Sequence, residues 1–144
     1  MDAPSIRAWK FISTNHVRLV FVAPEQLRMP VDITARLKSL GIQFEETDDL
    51  TSALKKADVL YMTRIQKERF TDAGDYERLK DSYILTRQMV ENLSPKMVIL
   101  HPFPRVNEIA TDVDTLHGAA YFRQARNGVY IRMALLALIA GKIQ

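Results

Sequence analysis

An α/β fold, with a mainly parallel sheet flanked by helices, is predicted by three observations in this 144-residue sequence. Short runs rich in Val, Ile and Leu alternate with stretches of helical spacing, the alternation that builds right-handed βαβ units. The runs at Val59–Met62 and Met97–Leu100 are continuously apolar, the pattern of strands covered on both faces. Both then give way abruptly to cationic and amide side chains. Ligands of open α/β sheets bind beyond the carboxyl ends of the strands, where Arg64, Gln66 and Arg105 fall, so these residues read as an anion site.

The elements follow in order. Pro4 and Ser5 open a helix through Ile6, Trp9, Lys10 and Ile12. Val17–Val22 is a β-branched run stopped by Ala23 and Pro24, and 30–40 has helical spacing with Gly41 as its C-cap. Ile42–Glu46 reads as a short strand, Leu50–Lys56 as a short helix and Val59–Met62 as a buried strand. Phe70 to Gly74 is polar and turn-like and Tyr76 to Asp81 offers a helical turn, so 70–81 reads as a mobile loop before a strand at Tyr83–Leu85. Met97–Leu100 is the last clear strand, and Phe122–Ala140 closes the chain as a long helix.

At 47% hydrophobic the chain can bury a core, and its length suits one domain over residues 1–144. Lys and Arg number 20 against 17 Asp and Glu, a net charge of +3. The cations are scattered, without interleaved aromatics, which argues against a nucleic-acid surface. The absence of cysteine excludes disulfides, thiolate zinc ligation and a thiol nucleophile, and it fits a reducing compartment, so a cytoplasmic location is expected. No apolar run reaches the roughly 18 residues of a membrane span, and Met1 to Ser5 lacks a basic n-region. Neither a membrane partner nor secretion is expected.

An Arg side chain offers a planar fork of donors that grips a carboxylate at two points, and a Gln two residues on adds an amide donor. Arg64 and Gln66 have that spacing, and Glu68 lies four residues after Arg64, within reach to orient the guanidinium in a turn. Arg64, Lys67, Glu68 and Arg69 fit a solvated charged cluster equally well. In His101-Pro102-Phe103-Pro104 two prolines remove two backbone donors and stiffen the loop. Such a loop can aim the Pro102 and Phe103 carbonyls at a ligand N–H, and a cis bond before Pro104 is one way to hold it. From this segment alone a rigid turn ending a strand explains it better. His101 reads as a hydrogen-bonded near-core histidine rather than a base or ligand. Asp112 and Asp114 read as a turn or cap with exposed carboxylates. No spacing completes a metal site, and no cofactor is expected.

Four motifs, in order, carry a resemblance. They are Val22-Ala-Pro-Glu-Gln-Leu-Arg-Met-Pro30, Asp58 to Phe70, His101-Pro-Phe-Pro-Arg-Val-Asn-Glu-Ile109, and Ala120 to Ala125 with Asn127 and Gly128. From about Val17 onward the chain resembles the C-terminal, aspartate-binding half of aspartate carbamoyltransferases, most similar to the domain within the multifunctional pyrimidine-synthesis proteins of eukaryotes. The resemblance implies a Rossmann-like half-domain and carbamoyl transfer from carbamoyl phosphate to L-aspartate. It implies that Arg64 and Gln66 hold the aspartate carboxylates, with Glu68 orienting Arg64. It further implies that Pro102 and Phe103 contact the carbamoyl group through their backbone carbonyls, that Pro104, Arg105 and Glu108 support that loop, and that 70–81 closes over substrate. Most members carry Leu at the Phe103 position, a change that a backbone contact tolerates. The sibling ornithine enzymes carry a cysteine in a His-Cys-Leu-Pro version of the loop, and this chain has none.

The Ser-Thr-Arg-Thr-Arg phosphate cradle of the family's other half does not occur in this sequence, and Ser5–His16 stands where a Gly-Arg-Thr-Val-His segment is expected before the first matched strand. No catalytic residue is therefore expected in this chain alone. Carbamoyl phosphate would bind only with the other half. Two readings follow, an aspartate-binding half that is inactive in isolation, or a noncatalytic module that assembles with complete catalytic chains, as the family's trimer allows, or with itself.

Overall fold

A computed structural model describes residues 17–67, 70 and 72–142. The helix expected from Ser5 and the orienting residue Glu68 lie outside the described residues. The chain falls into two compact units, one through Ala53 and one from Leu54.

The first unit opens with strand β1 (Leu19–Val22), a 3-10 turn at Glu25–Leu27 and helix α1 (Val31–Ser39). Strand β2 (Phe44–Thr47) runs parallel to β1 with Leu19 opposite Phe44. The register begins two residues later than the apolar run suggests, because the α1 exit uses up Ile42. Gly41 adopts φ 67° and the Ile42 N–H donates to the Leu37 carbonyl at 3.0 Å. That reversal needs a residue tolerant of the left-handed region, which glycine supplies. Leu37 and Ile42 form the core here, with Leu19, Phe21, Ile33 and Phe44 packed on them. Helix α2 (Leu50–Leu54) starts at Asp49, whose carboxylate accepts the Ser52 N–H at 3.0 Å, and the boundary between units falls in its last turn.

In the second unit strand β3 (Val59–Tyr61) lies parallel to β4 (Val98–Leu100), with Leu60 opposite Ile99. The far edge of β4 pairs with Gly118–Ala120, since Ile99 donates to the Gly118 carbonyl and accepts from the Ala120 N–H. A Cβ on Gly118 would sit 2.4 Å from the Met97 carbonyl oxygen, so this close approach requires glycine. Flanked on both edges, β4 is covered as expected. Strand β3 is not, for Val59 and Tyr61 are each 55% exposed, a correction to the expectation of a buried strand.

Residues 70–81 also differ from a plain loop. Asp72 accepts the Gly74 N–H at 2.7 Å and caps helix α3 (Ala73–Leu79). Gly74 in the first turn masks this helix in the sequence. Helix α4 (Arg87–Val90) follows. The strand expected at Tyr83–Leu85 is a single parallel bridge between Leu85 and Ile109, because the partner chain runs directly into a 3-10 helix at Thr111–Thr115. Helix α5 (Tyr121–Ile139) closes the described chain.

Candidate functional site

Parallel pairing carries the chain leaving β3 and the chain leaving β4 out of the same end of the sheet. The Met62 N–H donates to the Leu100 carbonyl at 3.0 Å, the last bond before the two loops part. Beyond it a cavity of about 360 Å³ opens. Arg64, Ile65 and Lys67 form one wall, Tyr76, Glu77, Lys80 and Asp81 of α3 and its C-terminal turn a second, and Val106, Asn107 and Glu108 the third.

The carboxylates of this cavity have internal partners. Glu77 holds Lys80 at 2.5 Å and keeps that ammonium above its ordinary pKa. Asp81 accepts from the Asn107 amide. Glu108 is buried and points at His101. Lys67 lies 5.8 Å from the Tyr76 ring centroid, a cation–π contact. With its acids engaged and with Arg64 and Lys67 on one wall, the cavity suits an anionic ligand.

The loop after β4 is held differently. His101 and Glu108 are both buried, with Nε2 and Oε1 2.6 Å apart. The Phe103 N–H donates to His101 Nδ1 at 2.9 Å, and the Val106 and Asn107 N–H groups donate to Glu108 Oε2 at 3.1 Å each. Phe103 adopts φ 55°, a conformation that costs an ordinary residue about 1–2 kcal/mol. The Phe103–Pro104 bond is cis. The Phe103 ring packs against His101, Tyr121 and Phe122 with centroids 5.4, 5.9 and 5.6 Å away.

Arg105 is corrected from its reading as an anion-site residue, because its anion is internal. Its guanidinium grips Asp114 at two points, Nη1 to Oδ1 at 2.5 Å and Nη2 to Oδ2 at 3.0 Å. The buried Tyr121 hydroxyl donates to the same Asp114 Oδ1 at 2.5 Å. The Arg105 guanidinium holds the Asp114 carboxyl below the usual carboxylate range, and burial followed by Asp114 pushes the Tyr121 phenol up. Asp114 is thus no exposed cap. Asp112 does stay exposed and accepts the Arg87 N–H at 3.3 Å, starting α4.

Of the residues singled out from sequence, Arg64 and Glu108 share the cavity. Gln66 and Pro102 are exposed and off its lining, and Phe103 lies with the aromatic cluster. Sequence reasoning assigned no role to Tyr121, Gln124 or Asn107, and read Asp114 only as a turn or cap. A partner for Arg105 nine residues away carries no local signal.

A family model described as "Aspartate/ornithine carbamoyltransferase, Asp/Orn binding domain" matches residues 8–139. The chain belongs to this family. It is 49% identical over 129 residues to an aspartate carbamoyltransferase catalytic subunit of Alkaliphilus oremlandii, covering 89% of this chain and 39% of the relative. It is 53% identical over 131 residues to the multifunctional protein CAD of Squalus acanthias, covering 91% of this chain and 6% of that protein. Among solved structures, the catalytic subunit of M. jannaschii aspartate transcarbamoylase superposes with a TM-score of 0.77 at 46% identity, over 88% of this chain and 42% of that one. The chain therefore spans about two fifths of the catalytic subunits it matches. The α/β class and parallel pairing expected from sequence are those of these neighbours. Among the described residues no helix is long and apolar enough to cross a membrane, and no group of three or more His, Cys, Asp or Glu is placed to hold a metal.

Proposed function

We propose that this chain is the aspartate-binding half of an aspartate carbamoyltransferase. In the complete enzyme the α-amino nitrogen of L-aspartate bonds to the carbonyl carbon of carbamoyl phosphate as the bond to the phosphate oxygen breaks, giving carbamoyl aspartate and phosphate for pyrimidine synthesis. The observation that carries this reading is the cavity at the carboxyl end of β3, where Arg64 and Lys67 line a space whose acids already have partners of their own. A dicarboxylate matches that wall, whereas the amine side chain of ornithine would meet two cations.

Arg64 takes a substrate carboxylate at two points, and Gln66 adds an amide donor when the exposed loop closes. Glu68 orients Arg64. The Pro102 and Phe103 carbonyls accept from the carbamoyl amino group, with Pro104, Arg105 and Glu108 holding their turn. Catalysis of this kind depends on stabilising charge on the leaving phosphate, so the 144-residue chain is expected to be inactive alone. An assay with L-aspartate and carbamoyl phosphate tests this, and turnover that survives removal of host enzyme overturns it. In amide-shift titrations, succinate is expected to bind at millimolar affinity or weaker, about 4 kcal/mol, with perturbations around Arg64–Lys67. Unchanged shifts at high succinate would return these residues to a solvated cluster.

A second reading, a noncatalytic module that assembles with complete carbamoyltransferase chains or with itself, is favoured by one feature. Helix α5 leaves Val129, Tyr130, Ile131, Met133, Leu136 and Ile139 more than half exposed. Light scattering across a concentration series, with and without complete catalytic chains, separates the two readings.

A further inference from the structure

Glu108 uses its two oxygens on opposite ends of one loop. Oε1 faces His101 at the loop's start, and Oε2 takes the Val106 and Asn107 N–H groups at its end. An ionised carboxylate can only accept, while a neutral imidazole offers one donor and one acceptor. The Phe103 N–H is an unalterable donor and it points at Nδ1, so the imidazole proton resides on Nε2 and is given to Glu108. Were Glu108 unable to accept, His101 would lose the acceptor that holds its Nε2 proton, and a partner donating to Nε2 would set that nitrogen against the Phe103 N–H for the one acceptor the ring offers.

The consequence reaches a carbonyl. The Phe103 N–H and the Pro102 C=O belong to one trans peptide plane and point in opposite directions. Anchoring that N–H on His101 therefore turns the Pro102 oxygen away from the histidine, and the same bond holds Phe103 at its positive φ. The backbone of His101 is itself fixed, its N–H donating to Gln124 Oε1 of α5 at 3.0 Å. We propose that Glu108 is a positioning residue for carbamoyl transfer, aiming the Pro102 carbonyl at the carbamoyl amino group through the His101 tautomer and the Phe103 N–H. This rests on the substrate reading above.

The test uses the whole chain and two probes, N-carbamoyl-L-aspartate and succinate, the second lacking a carbamoyl group. Imidazole 15N spectra of the wild type should show the His101 proton on Nε2. Carbamoyl aspartate should shift the Phe103 amide as well as Arg64–Lys67, and succinate only the latter. Glu108→Gln has one acceptor where both ends demand one, so it should scramble the tautomer, speed Phe103 amide exchange roughly tenfold or more, and remove the Phe103 response to carbamoyl aspartate while leaving the succinate response.

His101→Asn keeps an acceptor, Oδ1, near the Phe103 N–H and has no tautomer to set. In that background Glu108→Gln should change the Phe103 response no further, a dependence that a purely structural role for Glu108 would not produce. Should Glu108→Gln fail to fold, His101→Gln decides: with its amide nitrogen donating to Glu108 it places no acceptor where Nδ1 stood, so the Phe103 response should be lost in it and kept in His101→Asn. A proton on Nδ1 in the wild type, an unaltered Phe103 response in Glu108→Gln, or the reverse order of the two His101 variants overturns the inference. If neither probe shifts any wild-type amide the substrate reading fails instead, and slow Phe103 exchange retained in Glu108→Gln would then overturn the hold of Glu108 on the turn.

Discussion

The two loops leaving adjacent parallel strands of the second unit are built from similar residue types and held by opposite means. After β3, the ion pairs are local and wet: Asp75 with Arg78, side chains 47% and 74% exposed, and Glu77 with Lys80, 57% and 39% exposed. After β4, the contacts are longer-range and drier: the hydrogen bond of His101 with Glu108, 1% and 5% exposed, and the ion pair of Arg105 with Asp114, 15% and 25% exposed. Exposed pairs of the first kind are screened by solvent and contribute little, so their rearrangement costs little. Breaking a buried pair leaves an uncompensated charge and costs several kcal/mol. The contrast divides labour: the β3 side supplies charge that can adjust to a ligand, and the β4 side supplies a fixed frame against which it adjusts.

The largest expected effect comes from breaking that frame. Asp114→Ala leaves Arg105 partly buried without its carboxylate and the Tyr121 hydroxyl without an acceptor, and should cost about 3 kcal/mol by urea denaturation. A loss below about 1 kcal/mol would mean the Arg105 pair is as solvent-screened as those of α3. Acid probes the same pair. Because the folded state holds Asp114 below its ordinary value of 3.8, the pair's contribution is full above that pH and is lost as pH falls through the lower folded value. Asp114→Asn should therefore flatten the acid limb of the stability curve below about pH 4, and a curve parallel to the wild type there would contradict the assignment.

On the β3 side the matching experiment reads binding rather than folding. Arg64→Ala should weaken succinate by about 2 kcal/mol, enough to abolish the amide shifts at accessible concentrations, while the urea midpoint barely moves. A large stability loss with binding retained would reverse the roles given to the two loops. Smaller again is Tyr121→Phe, which removes one hydroxyl donor from a carboxylate that keeps both Arg105 contacts. A cost of about 1–1.5 kcal/mol is expected, with no change in succinate binding.

The same contrast explains what the sequence made legible. The parallel strands, the Gly41 reversal and the charged loop at Arg64 are written in local patterns, each within a few residues. The rigid turn at His101–Pro104 was legible too, because two prolines in four residues state it directly. What holds that turn was not. Asp114 and Tyr121 are nine and sixteen residues beyond Arg105, and both look ordinary in isolation, one an acid in a turn and the other an aromatic at a helix start. Helix α3 was hidden for the opposite reason: its cap, Asp72, is local, but Gly74 beside it is the residue a turn would use. Glu68, which the resemblance makes the orienter of Arg64, stays a proposal resting on that resemblance.

The smallest predicted effect is the sharpest test of how the β3 loop differs. Arg78→Ala removes an i, i+3 pair with Asp75 on the exposed face of α3, and neither residue lines the cavity. Such pairs bring modest Coulomb energy in high dielectric and spend side-chain entropy to form, and alanine has the better helix propensity. The net change in stability should fall within about 0.5 kcal/mol of zero, and succinate affinity should shift less than about twofold once salt is raised to screen the lost charge. A loss above about 1.5 kcal/mol would mean that α3 depends on this pair, and that the β3 loop is held as firmly as the one beside it.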